Sequence, residues 1–171
     1  MNSVKRNGEP EEYTSDTSYE GVSYRVGSAD RYVDSGINKY EFNYTIYNAV
    51  FEKDGIYQVY FNPIGQFWNV PIESADVSIS FENNQPVGEN EVKQLEVYTG
   101  EYGDTGQNYT ILQKSGIIKI ETNEVLEPRN GLSFRLNLKT DKISPTWFDK
   151  LEVLYYADPL VVAGPIIILM L

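Results

Sequence analysis

Carboxylates are the side chains of this sequence with the clearest chemical capacity. The chain contains 25 Asp and Glu against 14 Lys and Arg, and it contains neither histidine nor cysteine. Without these two residue types, a Ser-His-Asp triad, a histidine base, a thiol nucleophile, a thiolate zinc site and a disulfide are all excluded. Paired carboxylates could act on envelope glycans, but such chemistry needs two acids about 5 to 9 Å apart. Nothing in the spacing brings two acids together, so we predict no catalytic residues and no enzyme.

A glycine-rich loop at residues 99–106 (TGEYGDTG) superficially resembles a phosphate cradle. No Lys follows its glycines and no long helix begins there, which excludes a P-loop. Glu101 and Asp104, with Asp54 or Asp30, could contribute to a calcium site. However, no D-x-D-x-D spacing supports one, and isolated loop acids are usually solvated. We therefore predict no metal and no cofactor, with calcium binding as an alternative.

Aromatic residues stand in a second irregular loop, residues 62–71 (NPIGQFWNVP). Its two prolines remove ladder donors, and Gly65 permits an unusual backbone. Phe67 and Trp68 are predicted mainly to fold back over the open end of the core, because aromatic residues in β-sandwiches mostly serve packing. The alternative is a platform for a carbohydrate or peptide. Phe67 and Trp68, together with Tyr102, are the candidate ligand contacts of the chain.

Alternating apolar and polar residues predict that these loops are carried by β-strands. An Asp-Gly pair at residues 54–55 predicts a tight hairpin, because that turn requires positive φ. No helical segment intervenes between the strands, so the pattern predicts an all-β, antiparallel sandwich with one packed face and one wet face. The predicted strands are residues 21–26, 40–46 (with an extension to about 51), 56–61, 77–81, 92–98, 109–112, 117–121 and 132–138.

The two ends of the chain differ in character. Residues 1–18 are polar and predict a loose leader, ahead of a sandwich domain at 19–142. Residues 143–158 have an apolar stripe at helical spacing, with Ser144 as a possible cap, and predict a short amphipathic juxtamembrane helix. Residues 159–171 are apolar and uncharged, but a membrane-spanning helix needs about 20 such residues. We interpret them as the start of a truncated transmembrane segment; a buried terminal strand or helix is the alternative.

The net charge of the chain limits the classes of partner that it is expected to bind. The net charge of −11 leaves no basic face, so nucleic-acid binding is not expected. The predicted partners are a membrane, through the C-terminal segment, and other envelope proteins.

Several motifs in order resemble those of the YciQ-like family of predicted bacterial membrane proteins, over roughly residues 19–139. The family's leading domain is one of unknown function. The resemblance implies an extracytoplasmic β-sandwich followed by a transmembrane helix and further membrane and cytoplasmic regions. The motifs are YRVG at 24–27, YEFNYTIYNAV at 40–50, YFNP at 60–63, Gly65, WNVPI at 68–72, YTGEYG at 98–103 and the strand at 126–138.

The chain also departs from the family pattern. Family members begin with an export signal and further strands and continue past the first membrane helix, so we expect a fragment truncated at both ends. A sandwich edge that lacks its neighbour exposes unpaired backbone groups, which predicts marginal stability and self-association. Some relatives carry cysteines near the glycine-rich loop, where this chain has Tyr98 and Tyr109.

Together these features predict a non-catalytic, extracytoplasmic binding or interaction domain of a membrane protein. Two alternatives remain at this point. One is a soluble sugar- or calcium-binding β-sandwich module, which would require residues 160–171 to fold onto the core. The other is a carboxylate-based enzyme acting on envelope glycans, which would require paired acids in a cleft beside Trp68.

Overall fold

The computed structural model of the chain describes residues 1–18, 21–82 and 85–146. Within these residues it contains twelve β-strands, all paired antiparallel, and no α-helix. The mostly β, antiparallel class predicted from the alternating residues is therefore confirmed. The chain divides into two compact units, Met1–Tyr47 and a second that begins at Asn48. The predicted domain boundaries stay a prediction.

The first unit is built from two small sheets. Strands β1 (Ser3–Arg6), β2 (Glu9–Pro10) and β5 (Tyr40–Asn43) form one sheet in the order β2-β1-β5. Strands β3 (Tyr13–Ser18) and β4 (Gly21–Val26) form a hairpin. Residues 1–18, for which the sequence predicts a loose leader, thus contribute three strands. Their side chains are mostly exposed, so backbone pairing orders this segment without the apolar pattern on which a strand prediction depends.

The second unit contains seven strands in two further sheets. A four-stranded sheet has the order β6-β7-β12-β9, and a three-stranded sheet has the order β10-β11-β8. The strands are β6 (Val50–Lys53), β7 (Ile56–Ile64), β8 (Asp76–Ile79), β9 (Val92–Gly100), β10 (Thr110–Lys114), β11 (Ile117–Glu121) and β12 (Gly131–Leu138).

The predicted hairpin at residues 54–55 joins β6 to β7. Asp54 and Gly55 have φ values of 54° and 75°. Positive φ at both central residues is what a type I′ turn requires, and this turn matches the twist of the flanking strands. Lys53 and Ile56 are the first partners of the ladder, so the hairpin prediction is confirmed.

A single hydrophobic cluster is shared by the two sheets of the second unit. β12 contributes four alternating residues: Leu132, Phe134, Leu136 and Leu138 are all buried. β11 contributes Ile118 and Ile120 from the other sheet. Phe134 packs edge-on against Phe61 of β7, with ring centroids 6.2 Å apart.

The three strands predicted at residues 40–46, 56–61 and 77–81 lie in three different sheets. The predicted extension of the strand past Ile46 to about Phe51 is wrong, because β5 ends at Asn43 and β6 begins at Val50. Asn48, with φ of 56°, lies in the turn between them and interrupts the extended backbone.

The predicted juxtamembrane helix lies outside the described residues from 147 onward, as does the apolar segment at 159–171. Residues 143–146 are described and are in neither a helix nor a strand. Across the three described ranges, no helix is long and apolar enough to cross a membrane.

Candidate functional site

The outward side of the four-stranded sheet carries a polar and aromatic surface. Side chains along β7, β9 and β12 alternate between the two sides of the sheet. One set points into the core, as the buried residues of β12 illustrate, and the other set points outward. Strand order then places the outward side chains of these three neighbouring strands side by side. We call the following eight residues the outer face: Gln58, Tyr60, Gln94, Glu96, Tyr98, Ser133, Arg135 and Asn137.

A row of amides crosses the outer face perpendicular to the strands. Gln58 Nε2 donates to Asn137 Oδ1 at 2.9 Å, and Asn137 Nδ2 donates to Gln94 Oε1 at 3.0 Å. Gln94 Nε2 then donates along β9 to Glu96 Oε1 at 2.7 Å. Each amide is fixed by a neighbour on the next strand, so the row is ordered by the sheet itself.

Glu96 is the centre of a second group on the outer face. Its Oε2 accepts hydrogen bonds from the Tyr98 hydroxyl at 2.8 Å and from Arg135 Nε at 2.6 Å, and Arg135 Nη2 contacts the same oxygen. The hydrogen bond from Tyr98, and then that from Arg135, lowers the pKa of Glu96, and the bond to Glu96 raises the pKa of Tyr98. Glu96 is therefore ionised and Tyr98 is neutral at pH 7, so the hydrogen bond that joins them is charge-assisted.

An open groove of about 330 Å³ lies at one end of the outer face. Tyr60 and Tyr98 border it from β7 and β9, and the glycine-rich loop also lines it. We call it the tyrosine groove; it is lined by Tyr60, Gln66, Tyr98, residues 99–105, Gly131 and Ser133.

The glycines of this loop have a structural role that its sequence does not reveal. Asp104 N donates to the Glu101 carbonyl, and Asp104 Oδ2 accepts from Glu101 N, both at 3.0 Å. Gly100 has φ of 125°, and a Cβ on it would lie 2.8 Å from the side chain of Asp104. Thr99 N also donates to the Gly106 carbonyl at 3.1 Å, which closes the base of the loop. The loop is thus a tight, self-bonded turn that holds Tyr102 out from the sheet.

The three predicted ligand contacts are not brought together. Tyr102 is 94% exposed and lines the tyrosine groove, whereas Phe67 and Trp68 are outside its lining. Phe67 is 94% and Trp68 56% exposed, so the interpretation that they cover the core is wrong. Buried Val87 and Leu126 from other loops join the hydrophobic cluster instead.

Two smaller predictions from the loops can also be compared with the structure. Gly65 does not have a positive φ, so it does not supply the unusual backbone expected of it. In the part of the chain that the structure describes, no three acids, cysteines or histidines are placed to hold a metal ion.

No residue of the outer face was among the ligand contacts predicted from the sequence. The sequence did contain a pattern that indicates these residues, because they are the polar half of three alternating strands. Their proximity, however, depends on β12 lying between β7 and β9, and strand order is not readable from local patterns.

Comparison with known proteins identifies the family. The model of the N-terminal domain of predicted membrane proteins (DUF2207) matches residues 2–138, which is more than half of the chain. The chain therefore belongs to this family, and the resemblance drawn from its motifs is confirmed.

A particular relative is the "Uncharacterized protein YciQ" of Escherichia coli (strain K12). It is 29% identical over 114 residues, which cover 67% of this chain and 18% of that protein. The chain thus spans less than a fifth of the relative's length. No solved structure matches the chain.

Proposed function

We propose that this chain is a non-catalytic binding module of a membrane protein, held on the extracytoplasmic side, and that it binds its ligand in the tyrosine groove. The observation that carries the proposal is the exposed Tyr102 beside an open groove of about 330 Å³. In this proposal the two sheets that share one hydrophobic cluster form the predicted β-sandwich, with the outer face on its wet side.

Preorganisation of the groove supports a binding role. Its walls come from three strands and from a loop that bonds to itself, rather than from a long mobile segment. Groups fixed before binding lose little conformational entropy when a ligand arrives. Tyrosines also combine a large contact area with a hydroxyl at low entropic cost, which makes them common in binding sites.

The state of the acids supports a module without catalysis. Glu96 is paired with Arg135 and accepts from Tyr98, and Asp104 is engaged by its own loop. Acid–base catalysis needs a carboxyl group whose pKa lies near the working pH. The lowered pKa of Glu96 is the opposite of that requirement.

Membership of a predicted membrane protein family supports the membrane part of the proposal. The amphipathic segment at 143–158 would lie at the bilayer surface, and residues 159–171 would enter the bilayer. The soluble sugar- or calcium-binding module remains the competing proposal.

Fluorine NMR tests binding without knowledge of the ligand. We would incorporate 3-fluorotyrosine at position 102 of the full chain and, as a matched control, at Tyr32, which is 99% exposed in the first unit. Envelope fragments of Escherichia coli should shift or broaden the signal from position 102 and leave that from position 32 unchanged. Equal responses, or none, would contradict the proposed groove.

Fractionation tests the membrane part. The complete gene product should remain in membranes washed with alkaline carbonate, and protease added outside spheroplasts should cleave the domain. Release into the soluble fraction would favour the competing module. Cleavage only after lysis would place the domain on the cytoplasmic side.

A further inference from the structure

We infer that the ligand of the tyrosine groove is a neutral oligosaccharide, which extends from the groove onto the amide row of the outer face. This inference rests on the proposed binding function and adds the chemical class of the ligand. It is carried by three observations: the unused hydrogen-bonding groups of the outer face, the charge of the surface and the arrangement of its tyrosines.

Several polar atoms of the outer face point to solvent without a partner in the described parts of the chain. Gln58 Oε1 is an acceptor, Arg135 Nη1 is a donor and the Tyr60 hydroxyl can serve as either. The side chains of Gln58 and Arg135 are held in place, because their other polar groups form cross-strand hydrogen bonds. Neighbouring strands lie about 4.8 Å apart, so these groups form a grid of fixed donors and acceptors. A chain of sugar hydroxyls, which both donate and accept, is complementary to such a grid.

Charge favours a neutral ligand over an anionic one. Arg135 is the single cation among the residues of the outer face and groove, and Glu96 already neutralises it. Glu101 and Asp104 add negative charge at the groove, within a chain of net charge −11. Phosphates and nucleic acids would therefore be repelled. An apolar peptide is also poorly matched, because no residue of the outer face is aliphatic.

Tyrosines supply the remaining part of saccharide recognition. Tyr60, Tyr98 and Tyr102 all line the groove, and Tyr60 is 54% exposed although it lies in the middle of a strand. A sugar ring has an apolar C–H face and a polar rim. Aromatic rings pack against the C–H face, and planar amide and guanidinium groups form hydrogen bonds with the polar rim. Both kinds of group occur here within one short stretch of three neighbouring strands.

The test uses the full chain with 3-fluorotyrosine at position 102 and four defined probes. These are the tetramer of N-acetylglucosamine, maltotetraose, mannotetraose and, as a charged competitor, pentalysine. At least one neutral tetrasaccharide should shift the signal from position 102 in a saturable way, and the probe at Tyr32 should not respond. Tyr60→Ala should weaken that binding about tenfold, since it removes a stacking surface. Phe67→Ala, which removes an exposed aromatic side chain outside the groove lining, should leave it unchanged.

The outcomes separate this inference from the proposed function. If position 102 responds to envelope fragments but to none of the three tetrasaccharides, the inference of a neutral oligosaccharide is overturned and the proposed binding function stands. A response to pentalysine alone overturns it in favour of a cationic peptide. No response to envelope fragments or to any of the four probes overturns both. If Tyr60→Ala misfolds, Tyr102→Ala measured by calorimetry replaces it, and unchanged affinity in that variant would also overturn the inference.

Discussion

Replacement of Glu91 by Gln tests how the domain is held together where the chain leaves β12. Glu91 Oε2 accepts from Gly88 N and from Lys142 Nζ, both at 2.6 Å, and its Oε1 accepts from Thr140. Lys142 also donates to the Pro86 carbonyl at 2.7 Å. One carboxylate therefore joins residues 85–91 to the segment after β12. We call this group the Glu91 clamp, and Glu91→Gln removes its charge while preserving its shape.

The magnitude follows from the protonation of the same carboxylate. Hydrogen bonds from Lys142, Thr140 and the Gly88 amide lower the pKa of Glu91 from 4.5 to about 2. At about 1.4 kcal/mol per pKa unit, this shift sets a ceiling of about 3 kcal/mol. The Glu91 side chain is 17% exposed, so solvent screening reduces that ceiling. We expect Glu91→Gln to lower the free energy of unfolding by about 1 to 2 kcal/mol at pH 7.

The pH dependence distinguishes the clamp from a general loss of stability. Because the pKa is depressed in the folded state, its contribution is fully present above about pH 4.5 and is lost as the pH falls through about 2. Urea unfolding of the full chain should therefore show a constant gap between wild type and Glu91→Gln at neutral pH. The gap should shrink between about pH 4.5 and 2. Glu89→Gln, which changes an exposed acid two residues earlier, should show no gap. An unchanging gap across this pH range would refute the reasoning.

Further predictions concern the core, a close backbone approach and the first unit. Leu136→Ala, at a fully buried position, should lower the free energy of unfolding by about 3 kcal/mol in urea titrations; a loss below about 1 kcal/mol would show that the cluster can collapse. Gly116→Ala should destabilise by more than about 1 kcal/mol, because φ is 76° and the new Cβ would lie 2.5 Å from Pro86 Cα. Gly65→Ala, in open space, should stay within about 0.5 kcal/mol in the same titration. Glu11→Gln neutralises the buried carboxylate that pairs with two arginines and should accelerate amide exchange in β1 but not in β12; equal acceleration in both strands would contradict it.

Features of this chain that depend on residues close in sequence were predicted correctly, whereas features that depend on distant residues were missed. The boundaries of β4 and β11 and the turn at Asp54-Gly55 depend on neighbours within a few residues, and the sequence predicted all three. The alternation of apolar and polar residues in β12 likewise depends only on neighbouring residues. The strands within residues 1–18 were missed, because their order comes from pairing with distant residues such as β5 rather than from their own apolar content.

The candidate site shows the same division. Tyr102 was predicted as a ligand contact from the sequence, and the structure places it in the lining of the groove. Tyr60 was not identified, since within β7 it is one polar-facing position among several. Its significance arises only when Arg135 and Glu96 on two other strands lie beside it. The prediction that Phe67 covers the core was wrong because it relied on the general preference of aromatic side chains for packing rather than on the local sequence.

The register of the four-stranded sheet places the groove and the clamp at opposite ends. Gly131 of β12 pairs with Gly100 at the groove, and Leu138 pairs with Val92 next to the clamp. The two sites are thus separated by seven residues of strand, or about 24 Å. After the clamp the chain proceeds through Ile143, which packs on the core, toward the proposed membrane segment. A domain anchored from that end would present its groove away from the bilayer, where a ligand can reach it. Loosening the clamp should then alter how the domain is held without changing what the groove binds.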